Sequence, residues 1–423
     1  MYGPVLLVAC LILLFYTPTA PASHKDEEPA SDSADSVLKR ETLTGDWFGW
    51  GEPLEERGLS VGLGLTQAYQ HNFHGGVEPG VGANSGSYDL ELEADMERLA
   101  GLRGGGAYMV TEGSWAAGAG QDTRAVGSLF GVNDDFGGER TADVTELWYE
   151  HHFLDERLQV RLGKIDLTGG FECRGCPVSF DGSLFANDET SQFLNGSLVN
   201  NPAIPFPDNG LGAVVFANPV DWWYASVAAA DAEADARETG FNTTFDGDSH
   251  FFYIAETGVV PEFRSSKGEL LGSYRLGVWN ERRPKNFLDE ARKKRDDTGF
   301  YLSADQMLWR ENSHDSQGLG TFGRIGLADD EVNEVDLFGS AGLQYRGLFA
   351  GRDNDVLGIG YAHGSLSDEA GFDSAQEQVV EVYYNAEVTP WLHVSPDLQW
   401  IGDPGGVSGE DAFVAGVRLQ MTF

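Results

Sequence analysis

Apolar and polar residues alternate one by one along most of this chain, and that period of two narrows the choice of fold more than any other feature. The C-terminus shows it most clearly. Phe413, Ala415, Val417, Leu419, Met421 and Phe423 share one face, and Val414, Gly416, Arg418, Gln420 and Thr422 share the other. Leu337, Gly339, Ala341, Leu343, Tyr345 and Phe349 oppose Ser340, Gln344 and Arg346. Val380, Val382, Tyr384, Ala386 and Val388 oppose Glu381, Tyr383, Asn385 and Glu387, while Leu392, Val394, Leu398 and Trp400 oppose His393, Ser395, Asp397 and Gln399. Leu158, Val160 and Leu162 oppose Gln159, Arg161 and Gly163. Strands of this kind face core and solvent in a sandwich, or lipid and lumen in a membrane barrel.

The spacing of the connections favours the barrel. About sixteen strands are expected, beginning near residues 59, 87, 101, 143, 157, 209, 221, 248, 266, 297, 318, 333, 354, 376, 391 and 410. With both ends on one side, every second connection should be short. Short ones fall at Leu99–Ala100, Leu154–Glu156, Asn218–Val220, Arg264–Ser265, Gly351–Arg352 and Thr389–Pro390. The connection Glu311–Gln317 is longer than this rule asks, and the eleventh is shorter. The longest, about residues 167 to 208, is of a length that usually carries function, and it is expected to fold inward and narrow the lumen. The fold expected is thus all-β: a closed antiparallel transmembrane barrel with a short helix before the first strand, suggested by Asp46 to Arg57. A soluble β-sandwich is the weaker structural alternative.

Composition agrees. Fifty-five glycines, 12% aromatics and a mean hydropathy of −0.28 are too polar for a bundle of membrane helices but suit a barrel with one wet face. The formal charge of −39 excludes a general nucleic-acid binder, which needs a basic footprint. It reads first as a heavily solvated acidic surface, then as a cation-leaning pore mouth or as loops holding divalent cations beside lipid phosphates.

Residues 1–22 read as a secretory signal peptide: an apolar run from Val5 to Tyr16 and a small-residue cleavage site at Ala20-Pro21-Ala22, although Met1 to Pro4 carry no Lys or Arg. Residues 23–42 read as a disordered acidic linker. Residues 43–58 form the N-terminal periplasmic helical segment, and 59–423 the barrel domain. Apart from Cys10 in the leader, the cysteines are Cys173 and Cys176. With no second Cys pair and no surrounding βαβ pattern, a small local disulfide is favoured over a redox pair or half a zinc site.

Three blocks resemble the carbohydrate-selective porins of the OprB family. Leu43-Thr44-Gly45-Asp46-Trp47 with Leu54 to Gly58 is similar to the family's N-terminal signature. Leu162 to Asp166, with Phe185-Ala186-Asn187 and Asn201-Pro202, resembles the strand and loop that follow. Thr389 to Leu392, Pro396 to Ile401 and Asp403 to Gly406 resemble the C-terminal block. Trp47-Phe48-Gly49-Trp50 and the Cys173–Cys176 insertion depart from the pattern. The resemblance implies a sixteen-stranded channel in the bacterial outer membrane, passive to glucose-like sugars through a constricted polar lumen.

Such a pore needs charged or amide groups that exchange hydrogen bonds with sugar hydroxyls, and aromatics for the ring face. The water-side positions supply candidates: Glu146, Glu150, Arg161, Arg275, Arg346, Glu381, Asp397, Gln399 and Arg418, with Lys164 and Asp166 ending a strand beside the long loop and Trp148 as a stacking group. For any one of them the plainer reading is an ordinary lumen polar that keeps the pore wet. Partners expected are small sugars and outer-membrane lipid, with no nucleic acid, and both monomer and homotrimer fit. No cofactor, metal or catalytic group is expected: no G-x-S-x-G elbow occurs, and His151 and His152 as strand neighbours point apart. A basic cluster from Arg282 to Arg295 sits in an outer loop, solvated on the plainer reading, with lipid phosphate as the second. The rival functions are a less selective porin for ions and small solutes, and a barrel enzyme such as a lipase.

Overall fold

A computed structural model describes residues 37–117, 121–135, 139–168, 180–186, 192–235, 241–245, 249–289 and 292–423. The leader, most of the linker, Asn187 and both Cys173 and Cys176 lie outside the described residues.

Sixteen antiparallel strands close into one barrel. They are β1 (Leu59–His74), β2 (Val81–Asp95), β3 (Gly105–Ala117), β4 (Arg140–Phe153), β5 (Leu158–Ile165), β6 (Gly210–Val220), β7 (Trp223–Asp231) and β8 (Phe251–Val259, continued by Glu262–Ser265). Then come β9 (Gly268–Glu281), β10 (Asp297–Arg310), β11 (Gly318–Leu327), β12 (Val335–Arg346), β13 (Val356–Leu366), β14 (Gln376–Thr389), β15 (Leu392–Gly402) and β16 (Ala412–Thr422). Each pairs with the next in sequence, and β1 closes on β16 from Gly64 opposite Thr422 to His74 opposite Phe413. Closure satisfies every edge, which an open sheet of this length would leave exposed.

Burial follows the alternation in the sequence. In β16, Phe413 is exposed outward, while Val414 and Arg418 point inward and are buried. Leu276, Leu302, Ile325, Leu343, Ile359 and Leu398 are exposed on the outer wall, the pattern of a surface made for hydrocarbon. Several element limits differ from expectation. β2 starts at Val81, and the connections 96–104 and 347–355 are longer than the two-residue turns expected at Leu99–Ala100 and Gly351–Arg352. In the first, Asp95 caps a short helix, Met96–Ala100, by accepting from the amides of Glu97 and Arg98, and Gly101 ends it with a left-handed φ of 70°. Capping chemistry therefore turns the expected two-residue connection at Leu99–Ala100 into a helical one.

Before β1, a 3₁₀ turn (Trp47–Gly49) and a short α-helix (Gly51–Glu55) sit at the short-turn rim. The Trp47 indole donates to the Val61 carbonyl at 2.7 Å and the Leu43 amide to the Thr422 carbonyl at 2.8 Å, tying this segment to both strands of the closure.

The interior is not uniformly wet. The long connection after β5 folds inward, as expected, and so does a second one, residues 121–135. Phe130, Val132, Phe193, Leu198 and Val199 from these loops pack on Phe322, Phe338, Val379, Tyr383, Ile401 and Val414 of β11 to β16. Leu167, Phe180 and Ile204 pack on Phe216, Tyr224, Phe252, Trp279 and Tyr301 of β6 to β10. A hydrophobic core thus fills the interior along β6 to β16, and residues 121–135 also reach β1, where Gln70 and Asn72 donate to the Val132 and Ala125 carbonyls at 2.7 and 2.8 Å.

Candidate functional site: a constricted lumen

A polar stretch of the inner wall is built on β3, β4 and β5. Tyr108 lies across from Trp148, Trp148 from Gly163, and Glu150 from Arg161, so alternate residues of three neighbouring strands meet on the inner face. The Arg161 guanidinium carbon lies 3.7 Å from the Trp148 ring centroid, and its Nη2 donates to Glu150 Oε2 at 3.0 Å. Glu150 also accepts from Gln159 at 2.5 Å and contacts His152 at 3.0 Å. The Trp148 indole donates to Glu146 Oε2 at 2.9 Å, and its ring is 4.8 Å from that of Tyr108. Gly163 makes room for this arrangement. A β-carbon there would stand 2.6 Å from Trp148 Cα and 2.3 Å from the Leu147 carbonyl, and its φ of 146° is one that side chains rarely adopt.

Lys164 is buried and donates to the Val144 carbonyl at 2.7 Å. Asp166 accepts from both the amide and the hydroxyl of Thr168 at 2.7 Å, and its own amide points to Glu146 Oε2 at 3.4 Å. Asp166 therefore opens the long loop with a side-chain turn.

Five other candidates point inward but lie beneath the loops. Glu381 accepts from the amides of Leu194 at 2.7 Å and Asn195 at 2.8 Å. Gln399 donates to the Val132 carbonyl at 2.9 Å and to Asp397 at 3.0 Å, and it accepts from the Asn195 amide side chain at 3.0 Å. Arg418 bridges Asp135 at 3.0 Å and the Gln192 carbonyl at 2.8 Å. Arg275 pairs with Asp305 at 2.5 Å, and Asp305 also accepts from the Ser183 hydroxyl at 2.5 Å. These groups hold the loops that shape the lumen. Arg346 sits apart at the short-turn rim, donating to Ser316 at 3.2 Å.

Sequence reasoning did not single out several groups that share this work. Arg324 donates to the carbonyls of Asp181 at 3.1 Å and Leu198 at 2.7 Å. Glu256 gathers the Tyr224 and Tyr301 hydroxyls at 2.7 and 2.8 Å and the Asp181 amide at 2.9 Å. Glu377 accepts from Ser128, Leu129 and Gly405. Each stands on the inward parity of its strand. For Arg324 and Glu256 the signal that could have found them is a charge within a mainly apolar strand, as in Phe322 to Leu327, whereas Glu377 stands between Gln376 and Gln378 and gives no such signal.

A closed sixteen-stranded barrel with an apolar outer belt and a lumen narrowed by inward loops defines a porin of the bacterial outer membrane. The chain belongs to the carbohydrate-selective porins, OprB family, whose model matches residues 81–423, and it is a channel selective for sugars. It is 25% identical to Porin B of Pseudomonas aeruginosa over 98% of this chain and 97% of that protein. It is 22% identical to the putative porin QuiX of Acinetobacter baylyi over 91% and 93% of the two chains. The fold matches the high-pH structure of Pseudomonas putida OprB with a TM-score of 0.76 at 21% identity, covering 92% of this chain and all 100% of that one. The low-pH structure of the same protein matches with a TM-score of 0.60 at 19% identity, over 91% and 99% of the chains.

Proposed function

We propose that selection for glucose-like sugars occurs at the β3–β5 wall, and that the channel works by passive diffusion past it. The observation that carries this reading is the Trp148–Arg161–Glu150 constellation: an aromatic surface beside a guanidinium and a carboxylate already joined to each other. An indole and a phenol offer an apolar edge to the C–H face of a pyranose. Arg161 and Glu150 can trade their mutual bond for bonds to adjacent hydroxyls without leaving a buried charge unpaired. Such exchange keeps binding weak, and a solute must bind weakly to leave a pore. The inward loops narrow the same lumen, so a solute too wide to pass them is refused.

Single-channel current in planar bilayers, titrated with glucose, tests the reading. Glucose should interrupt the current, and Arg161→Ala should weaken that block while leaving the open channel intact. Block of equal strength in the variant would place selection elsewhere in the lumen. No effect of glucose in either protein would leave a general porin for ions and small solutes.

A further inference from the structure

The chain is strongly acidic, yet seven of its 28 Lys and Arg residues lie between Arg282 and Arg295. These residues connect β9 to β10 at the long-loop rim, which faces the outer leaflet. A small hairpin, Lys285–Asn286 paired with Lys293–Lys294, organises the segment. The register partners Lys285 and Lys294 turn to acids: Lys285 to Glu281 at 2.9 Å and Asp297 at 2.6 Å, Lys294 to Asp329 at 2.5 Å and Glu331 at 2.6 Å. Arg283 joins Glu281 at 2.8 Å, and the Leu288 amide donates to the Glu331 carbonyl at 3.0 Å. The hairpin is thereby pinned to the barrel end.

Three other cations are not consumed by this stapling. Lys293 and Arg295 are exposed and form no ion pair among the described residues. Arg282 is 62% exposed, and its pairing with Asp296 at 3.4 Å is solvent-screened. Its guanidinium carbon lies 5.7 Å from the ring of Tyr253, an exposed aromatic on the outer wall of β8. Next to Tyr253 along the same wall, Val278 and Phe300 are also exposed. The cations therefore stand just beyond the apolar belt, at the height where lipid headgroups begin.

We propose that this hairpin docks the phosphate groups of an anionic lipid of the outer leaflet, with Arg282, Lys293 and Arg295 as the contacting cations. A planar guanidinium beside an interfacial aromatic suits a phosphate oxygen pair, and its aliphatic stem suits the boundary between headgroup and chain. The pinned hairpin presents these charges with little ordering left to do. The inference is independent of how the lumen selects solutes.

The test uses the full chain in neutral detergent, with native mass spectrometry after addition of bis-phosphorylated lipid A or its dephosphorylated form. R282Q/K293Q/R295Q should lower retention of the phosphorylated lipid about tenfold or more. R57Q/R103Q/R264Q, which removes three exposed cations from the other rim, should retain it. K293R/R295K, which keeps Arg282 and both other charges, should bind as wild type. Equal loss in both neutralised variants, equal retention of the dephosphorylated lipid, or loss in this charge-keeping variant would overturn the proposal. So would displacement by equimolar inorganic pyrophosphate, which would mark a site for free anions.

Discussion

Arg161 lies against Trp148, its guanidinium carbon 3.7 Å from the indole centroid, while its Nη2 holds Glu150 at 3.0 Å. One side chain therefore serves a π face and a carboxylate at once, which a lysine cannot do with the same geometry. Removing the ring should cost an arriving sugar apolar contact worth on the order of 1 kcal/mol. Trp148→Ala should then raise the glucose concentration for half-block about fivefold, and Arg161→Lys should weaken block comparably although the charge is kept. Current-noise analysis measures both. Full block retained in Arg161→Lys would show that charge alone matters.

Gly163 is the second point at which the wall can be broken. Ala at this position must clear the Leu147 carbonyl and the Trp148 backbone, which a β-carbon would approach to 2.3 and 2.6 Å, at a φ of 146°. Strain of this kind costs about 1–3 kcal/mol. Gly163→Ala should lower the temperature at which the barrel loses its heat-modifiable mobility on SDS gels, and it should weaken glucose block by displacing Trp148. A variant with unchanged block and unchanged unfolding temperature would show that the strands shift freely there.

The barrel was legible because its physics is local. Period two sorts side chains between two faces regardless of what each face meets, so strands such as β14 and β16 could be read from Val380 to Val388 and Phe413 to Phe423 alone. What the inner face meets was not legible. Val414 and Arg418 share the inward parity with groups that line water, yet Val414 joins a dry core and Arg418 anchors residues 135 and 192. The difference comes from loops more than two hundred residues away in sequence, which no periodicity encodes. The second inward loop was missed for the same reason: Phe130 and Val132 look like any short apolar pair until Gln70 and Gln399 are seen donating to the Val132 carbonyl.

Glu381 tests whether those loops set the bore. Its carboxyl group takes the amides of Leu194 and Asn195, and a buried donor left without a partner costs about 1–3 kcal/mol. Glu381→Ala leaves both amides buried without an acceptor. Residues 193–199 should then exchange amide hydrogens about tenfold faster or more, and single-channel conductance should rise as the loop leaves the lumen. Glu381→Gln keeps one strong acceptor and should fall between. Faster exchange without any change in conductance would separate the loop from the constriction.

The outer connection 403–411 carries a pH dependence whose sign can be worked out. Asp403 accepts from the Gly409 amide at 3.0 Å and from the Ser374 hydroxyl at 2.9 Å, and it adopts a left-handed φ of 50°. The Gly409 amide above all, aided by Ser374 and Gln376, holds its carboxyl below the ordinary aspartate range. A depressed acid stabilises the folded loop at every pH above its unfolded value, about 3.9, and that contribution is lost as pH falls through the lower folded value. Between pH 5 and 8 the connection should therefore stay closed. Below about pH 4 it should loosen. Hydrogen exchange of the 403–411 segment, corrected for the intrinsic rate at each pH, should show protection at pH 7 that is lost near pH 3. Asp403→Asn should abolish the pH dependence, since its amide oxygen accepts at any pH but carries no titrating proton. If wild type and Asp403→Asn lose protection over the same acid range, another group governs the loop.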